Sequence, residues 1–215
     1  MKRSVLTLFS GENDVLSHIL RLALTEKGIA YDVEHVGDEL QSPVRLPSRR
    51  RSEHEFHRAT IIDRDLKIED VHIALEYLDD KYPHPPLFPT GPEKKAKVRL
   101  IIKLIDQRVL PYLDGLNSDN PEELYRCVDE CTLFIRDIQG IFNENTNLLF
   151  DEEFSVLDCY FAPLLYKLFR AHQDTRMSNL PTKIANYYRR IHSREQFIKS
   201  LQLAPSRGFM YEKGK

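Results

Sequence analysis

The spacing of apolar residues along the chain separates an alternating first part from a helical second part. β-Branched and apolar residues predict a strand over 4–9, and a helical period over 14–27 ends at Gly28, where a helix C-cap is expected. A strand over 31–36 follows, so these elements predict a right-handed βαβ unit. The later elements predicted in this part are strands over 60–63 and 66–68 and a helix over 70–82, with Ile73, Leu75 and Leu78 as candidate buried positions.

Two domains follow from this pattern. The order β-α-β, an irregular segment and then β-β-α predicts an α/β thioredoxin-like domain over residues 1–83. Repeated prolines over 84–92 predict an extended linker, because proline restricts the backbone and excludes helix. Residues 93–205 predict an all-helical domain, and 206–215 a polar tail. The helices expected there cover 93–113, 121–142, 180–193 and 195–203, with a further helix beginning near Ser155.

The helix that begins near Ser155 has the clearest start signal. Ser155 and Asp158 occupy the N-cap and N3 positions, and Phe154 precedes them at the staple position. This spacing predicts a capping box in which Asp replaces the usual Glu. Ser155 and Asp158 are therefore predicted to have a structural role.

Composition and charge then exclude several classes of protein. The chain of 215 residues is 41% hydrophobic and 30% charged, which is ordinary for a soluble globular protein. Its formal net charge of -2 argues against a general nucleic-acid-binding protein. No apolar run approaches the roughly 20 residues that a membrane span needs. The cysteines are too few for a disulfide framework, which predicts a reducing cytoplasm, and they are Cys127, Cys131 and Cys159.

Three stretches carry a resemblance to a known superfamily. The run over 21–28 ending in Glu-Lys-Gly, the helix start over 154–165 and the Pro-rich segment over 63–89 resemble the glutathione S-transferase superfamily. Within it, the sequence over 4–11 and 82–87 is similar to that of the stringent starvation protein A family. The resemblance implies a glutathione S-transferase-like fold, with a thioredoxin-like N-terminal domain and an all-α C-terminal domain.

The same resemblance implies a function that the residues alone do not give. Members of this family bind RNA polymerase and are not known as transferases. The implied protein is a non-enzymatic transcription regulator that binds RNA polymerase holoenzyme under starvation or stress. It is expected to be a cytoplasmic homodimer that needs no cofactor, contacts no membrane and makes no sequence-specific contact with nucleic acid.

The loop between the two predicted domains is the candidate partner surface. A rigid proline-rich turn loses little entropy on docking, which suits a binding surface. On the residues alone a plain linker is the simpler interpretation, whereas the resemblance places the polymerase contact here and makes His84 a contact residue. The predicted contact residues are Lys81, Tyr82, Pro83, His84, Pro85 and Pro86.

The position where transferases activate glutathione differs in this chain. Transferases place a Tyr, Ser or Cys near the start of the first helix, where a donated hydrogen bond lowers the pKa of the glutathione thiol. Here that position falls at Asn13 and Asp14, and an aspartate would repel a thiolate. Ser10 and Ser17 carry the nearest hydroxyls, and a serine at a helix start is more often a cap than a catalyst. No catalytic residue is predicted.

Two other parts of the glutathione site are altered. The family has a cis-proline at the start of its third strand. Ala59 stands at that place, so the preceding bond is predicted to be trans, because a non-proline cis bond costs about 3 kcal/mol. The Asp-Val pair at 70–71 keeps the acid and loses the hydroxyl of a Glu-Ser pair that binds the glutamyl carboxylate. Transferase activity is therefore not expected. The positions predicted to be vestigial are Ser10, Ala59, Thr60, Asp70 and Val71.

The irregular segment over 41–58 is open to two interpretations. It is a solvated loop, or it is an anion site or a cationic contact for an acidic partner, since arginine pairs well with phosphate and carboxylate. His54 and His57 lack the i, i+4 spacing of a zinc-binding helix, so no metal is predicted. The candidate anion-binding residues are Arg45, Arg49, Arg50, Arg51 and Arg58.

Two other functions stay open at this point. One is a glutathione S-transferase or thiol-dependent reductase with an altered site. The other is an interaction protein that senses an anionic alarmone through the arginines of the 41–58 segment.

Overall fold

The computed structural model describes four stretches of the chain, which are residues 6–36, 58–141, 153–171 and 181–202. The predictions that fall outside these residues concern the tail over 206–215 and the arginines Arg45, Arg49, Arg50 and Arg51. Within the described stretches, no helix is both long and apolar enough to cross a membrane.

A mixed sheet with two helices forms the first part of the fold. Its elements are β1 (Leu6–Ser10), α1 (Val15–Glu26), β2 (Tyr31–His35), β3 (Thr60–Asp63), β4 (Leu66–Ile68) and α2 (Val71–Lys81). The strands are ordered β2-β1-β3-β4, with β2 parallel to β1 and β3 antiparallel to both β1 and β4. Leu8 lies opposite Val33 on one side and Ile61 on the other. The parallel pairing of β1 with β2 confirms the predicted βαβ unit.

The second part of the fold is helical. Its helices are α3 (Pro92–Arg108), α4 (Pro121–Asp137), α5 (Val156–Ala171), α6 (Thr182–His192) and α7 (Glu195–Leu201). α5 is the central helix, because it contacts α1, α3, α4 and α6. The rings of Phe134 and Phe161 stack where α4 meets α5, with their centroids 6.5 Å apart.

Two of these helices end earlier than predicted. α3 ends at Arg108 rather than at position 113, because Pro111 has no N–H to donate and the chain continues in a 3-10 turn over Leu110–Tyr112. α4 ends at Asp137 rather than at position 142. Gly140, a poor helix former, lies in the 3-10 turn that follows.

The burial of α2 differs from the prediction at one position. Its buried residues are Val71, Ala74, Leu75 and Leu78, so the prediction is confirmed for Leu75 and Leu78. Ile73 is 57% exposed, and its predicted burial is wrong. Successive helical residues are about 100° apart, which places Ile73 roughly opposite Val71 and Leu75 on the helix.

The predicted capping box is present at the start of α5. The backbone N–H and the hydroxyl of Ser155 both donate to Asp158 Oδ2, each at 2.9 Å. Asp158 Oδ1 accepts the hydroxyl of Tyr187 at 3.0 Å, which ties α6 to the start of the central helix. Asp158 is fully buried, so this one carboxylate satisfies three buried donors.

The three cysteines are free and buried. Burial, together with the smaller effects of the neighbouring Cys127 and Glu130, raises the pKa of Cys131 to about 12. The thiol form is therefore strongly favoured near neutral pH, and the thiol behaves as an apolar core group.

Buried polar contacts join α1 to the end of the chain. His18 Nε2 lies 3.0 Å from the hydroxyl of Ser200, and Arg21 Nε donates to the Ser200 carbonyl at 2.9 Å. Arg194 Nη2 donates to both carboxylate oxygens of Glu26 at 2.9 Å. Burial lowers the pKa of His18 well below its ordinary value, and the charges of Arg21 and His192 lower it further.

We predict that the protein becomes less stable as the pH is lowered, because His18 is buried in its neutral form. An unfolded histidine takes up a proton below about pH 6.5, whereas the buried imidazole stays neutral, so acid favours the unfolded chain. The free energy of unfolding should therefore fall by up to about 1.4 kcal/mol per pH unit between pH 6.5 and the lowered folded pKa. Urea unfolding over this range should show a weaker pH dependence in His18→Gln. Ser200→Ala, which keeps the imidazole, is the control, and an unchanged slope in His18→Gln would contradict the assignment.

Candidate functional site

The loop after α2 presents an exposed tip on a buried base. Pro83, His84, Pro85 and Pro86 are exposed and form what we call the proline loop. The next two residues turn inward, since Leu87 is only 2% exposed and Phe88 only 5%. The peptide bond between His84 and Pro85 is cis. The four exposed residues are among those predicted from the sequence to bind a partner.

A buried ion pair holds the base of the proline loop. Lys27, which follows α1, donates to Asp79 Oδ1 at 2.7 Å and to the Pro85 carbonyl at 2.7 Å. Asp79, in the last turns of α2, accepts the backbone N–H of Leu87 at 2.7 Å and that of Phe88 at 3.1 Å. The Lys27 side chain has no exposed surface, and that of Asp79 is 14% exposed. Charge-assisted bonds of this kind are about twice as strong as neutral ones.

The same base is attached to the helical part of the fold. The backbone N–H of Val156, the first residue of α5, donates to the Leu87 carbonyl at 2.9 Å. The Lys95 ammonium of α3 lies 5.7 Å from the centroid of the Phe88 ring. The loop therefore contacts α1, α2, α3 and α5, and its backbone is restrained from both parts of the molecule.

Lys81 and Tyr82 lie at the edge of this surface. Lys81 Nζ binds the carboxylate of Asp63 on β3, and the Tyr77 hydroxyl donates to the same carboxylate at 2.8 Å. Burial alone would raise the pKa of Asp63, but the hydrogen bonds from Lys81 and Tyr77 outweigh it, so that the pKa is lowered. Tyr82 is half-buried against the core. Of the predicted contact residues, these two have structural contacts of their own.

The hydroxyls nearest the start of α1 are occupied. Ser10 is fully buried, and Arg21 Nη1 donates to its hydroxyl at 2.5 Å. The Ser17 hydroxyl accepts the backbone N–H of Gly11 at 3.1 Å and donates to Asp14 Oδ2 at 2.5 Å. Asp14 is the N-cap of α1, where it accepts the Ser17 N–H at 2.7 Å. Both serines thus hold the loop between β1 and α1, and both are buried.

The start of β3 has the altered geometry that the sequence predicts. Among the described residues the one cis bond is that before Pro85, so the Arg58–Ala59 bond is trans, as predicted. Ala59 has a φ of 61°, and its N–H donates to the Phe9 carbonyl at 2.9 Å. Thr60 is fully buried opposite Phe9. The backbone N–H of Ala59 is therefore already hydrogen-bonded to β1.

Arg58 packs beside these residues. It is 7% exposed, although the sequence predicts it to be part of a possible anion-binding cluster. Its Cδ would lie 2.7 Å from a Cβ placed on Gly11, so the side chain covers the β1–α1 loop closely. Its Nη2 lies 3.8 Å from Asp114 Oδ1 in the helical part, and its Nε has no hydrogen-bond partner in the described part of the chain. Arg58 is therefore a buried residue between the β1–α1 loop and the helical part of the fold.

Asp70 and Val71 have structural roles at the start of α2. Asp70 Oδ1 accepts the backbone N–H of Ile73 at 2.9 Å, which makes Asp70 the N-cap. Val71 is buried. In the described residues, no group of histidine, cysteine, aspartate and glutamate side chains is arranged to hold a metal ion.

The sequence argument missed Lys27 and Asp79 as residues that hold the candidate site. Both lie in stretches that carry the family resemblance, Glu-Lys-Gly and Tyr-Leu-Asp, but their pairing spans 52 residues and needs the fold to be seen. The signal available was a lysine placed directly before Gly28, at the end of an apolar helix.

The fold defines the class of protein. A thioredoxin-like β2-β1-β3-β4 sheet, followed by an all-helical part around a capped central helix, is the glutathione S-transferase fold. The crystal structure of a maleylacetoacetate isomerase from Anaeromyxobacter dehalogenans superposes with a TM-score of 0.73 at 16% identity. The match covers 94% of this chain and 92% of that one.

Sequence comparison defines the family within this class. The chain is 34% identical over 213 residues to a stringent starvation protein A homolog of Pasteurella multocida, covering 99% of this chain and 97% of that protein. It is 33% identical over 214 residues to the homolog of Haemophilus influenzae, with the same coverage of both. The chain belongs to the stringent starvation protein A family. No model of a known protein family matches it.

We predict that Lys27→Met loosens the proline loop. The change removes both hydrogen bonds of the ammonium and leaves the buried Asp79 without its counter-charge, which costs about 3 kcal/mol of stability. Hydrogen exchange of the segment 82–90, measured where global unfolding is negligible, should become faster because the Leu87 and Phe88 amides lose a firm acceptor.

Lys81→Met is the matched control for this change, since its ammonium binds Asp63 and makes no contact with the loop backbone. Exchange of the segment 82–90 should be nearly the same in this variant as in the wild type. Exchange that stays slow in Lys27→Met would show that the buried pair does not hold the loop.

Proposed function

We propose that this protein is a non-enzymatic transcription regulator that binds RNA polymerase holoenzyme through the proline loop. The observation that carries the proposal is an exposed tip on a firmly held base. Pro83, His84, Pro85 and Pro86 face solvent, while the carbonyl of Pro85 and the amides of Leu87 and Phe88 are bound by Lys27 and Asp79.

The energetics of docking favour such a loop. A flexible segment loses about 0.5–1.5 kcal/mol for each side chain that becomes immobile on binding. Proline side chains have little rotamer freedom to lose, and the backbone here is already restrained by the buried pair. Membership of the stringent starvation protein A family supports polymerase as the partner.

The cleft supports a non-enzymatic role. The hydroxyls of Ser10 and Ser17 already have partners, and Asp14 places a carboxylate at the start of α1. Arg58 covers the loop where a thiol would need to approach, and the Ala59 amide is paired with Phe9. These contacts engage both hydroxyls near the start of α1, and they favour the regulator over the transferase.

We also propose that the protein acts as a homodimer. Large apolar side chains are exposed on neighbouring elements of both parts of the fold, and Arg99 of α3 is bound to Glu76 of α2 at 2.6 Å. Exposed apolar surface that spans several elements marks an interface between proteins. The exposed residues that we assign to this face are Leu66, Ile73, Leu100, Leu104 and Leu133.

The regulator proposal is tested by recovery of polymerase from stationary-phase lysate on the tagged protein. We expect the wild type to retain polymerase subunits and Pro83→Ala/His84→Ala/Pro85→Ala to retain at least about tenfold less, a loss of about 1.4 kcal/mol. Asp119→Ala/Glu122→Ala, at the exposed start of α4, is the control and should bind like the wild type.

Failure of the wild type to retain polymerase would contradict the proposed function. Equal retention by the wild type and the proline-loop variant would contradict the proposed surface. Retention of the wild type on glutathione resin, with turnover of a chloronitrobenzene substrate, would favour the transferase instead.

The homodimer is tested by light scattering after size exclusion. We expect a mass of twice 25.2 kDa for the wild type and a monomer for Ile73→Glu, because a charge would be buried in the interface. Ile198→Glu is the matched control, since Ile198 is 48% exposed on α7, away from this face. A monomeric wild type, or dissociation by both substitutions alike, would contradict this interface.

A further inference from the structure

Positive and negative residues are distributed unevenly along the chain. The whole protein has a formal charge of -2, but residues 154–202 contain eight lysines and arginines against three aspartates and glutamates. One of those acids, Asp158, is buried in the capping box. Another, Glu195, is bound to Lys199 at 2.6 Å. The third, Asp174, lies outside the described residues. Positive charge therefore dominates the described surface of this region.

α6 is where this charge is concentrated. The helix Thr182–His192 contains no aspartate or glutamate, and its buried face consists of Ile184, Tyr187 and Ile191. The lysine and arginine side chains of this helix have no acidic residue beside them within it. Arg189 Nη1 donates to Asn186 Oδ1 at 3.1 Å, and this neutral amide does not offset the positive charge. Arg189 and Arg190 are exposed, and Lys183 is half-buried.

The end of α5 extends the same surface. The rings of Phe169 and Tyr188 stack with centroids 3.8 Å apart, which brings the last turn of α5 against α6. Arg170 follows Phe169, is exposed, and lies 5.6 Å from the centroid of the Tyr166 ring. We call Arg170, Lys183, Arg189 and Arg190 the basic face.

The stability of α6 explains the positions of some of its cations but not of all of them. Arg189 and Arg190 stand in the last turn of α6, where cations interact favourably with the helix dipole. Lys183 stands in the first turn, where a cation is unfavourable by about 0.3–1 kcal/mol, and no side chain caps this helix start. A residue that opposes the stability of its own helix is expected at functional or strained sites, which is consistent with a binding role for Lys183.

We propose that the basic face contacts the phosphate backbone of duplex DNA without reading its sequence. Duplex DNA carries one negative charge per about 1.7 Å of its axis, and α6 is about 16 Å long, so the face spans several phosphates. Lysine and arginine contacts to phosphate position a protein on DNA and carry no sequence information.

Other polyanions fit this surface less well. A membrane-surface helix needs large apolar side chains beside its cations, and the exposed side of α6 has none. Single-stranded nucleic acid needs aromatic rings that are free to stack on bases, whereas Phe169 and Tyr188 stack on each other. Duplex DNA requires only an array of cations. This contact does not depend on polymerase binding by the proline loop.

The test is the fluorescence anisotropy of a short labelled duplex of arbitrary sequence, titrated with the full-length chain at about 50 mM and about 200 mM salt. We expect weak binding, with a Kd of about 10⁻⁴–10⁻⁶ M, that falls steeply as salt rises. Lys183→Glu/Arg189→Glu should weaken binding at least about tenfold and lower the slope of log K against log salt by about 2.

Arg64→Glu/Arg126→Glu is the matched control, because it makes the same change of net charge at two exposed arginines outside the basic face. It should change the affinity by less than about twofold. The proposal is overturned if the wild type does not bind the duplex at the lower salt, or if both double variants lose affinity alike. It is also overturned if phosphatidylserine vesicles or poly-glutamate bind more tightly than the duplex does.

Discussion

The buried ion pair between Lys27 and Asp79 is the contact on which the candidate site depends. It joins the end of α1 to the end of α2 and then binds three backbone groups of the chain that follows. Removing one partner of a buried pair leaves an uncompensated charge, so the pair is stable only while both helices are in place. The Leu87 carbonyl also accepts a hydrogen bond from Val156 at the start of α5. The position of the proline loop therefore depends on how the two parts of the fold pack together.

The residues predicted to be vestigial glutathione-site positions have structural partners in this fold. Arg21 reaches from α1 to Ser10 and Ser200, and so uses a buried cation to connect the first strand with the last helix. Arg58 packs against Gly11 and approaches Asp114. These contacts hold the loop between β1 and α1 in place from several elements. On the proposed function, this part of the fold is a rigid support and the exposed proline loop is the surface that binds a partner.

Local signals made much of this structure predictable. The βαβ unit, the capping box and the trans bond before Ala59 follow from residues close together in sequence. The pairing of Lys27 with Asp79 was not predictable, because it forms only when two helices meet. The exposure of Ile73 was missed because helical period alone does not say which apolar residue faces a partner. The basic face was hidden because a net charge averages over the whole chain.

The most direct test of the central claim is photo-crosslinking from position 84. A photoreactive amino acid replaces His84, and the purified protein is mixed with purified RNA polymerase holoenzyme and irradiated. Our account predicts a covalent adduct with a subunit of the holoenzyme from position 84, and none when the same amino acid replaces the exposed Ile198. If position 84 gives no adduct while the two proteins still associate, or if they do not associate at all, the proline loop is not the polymerase contact.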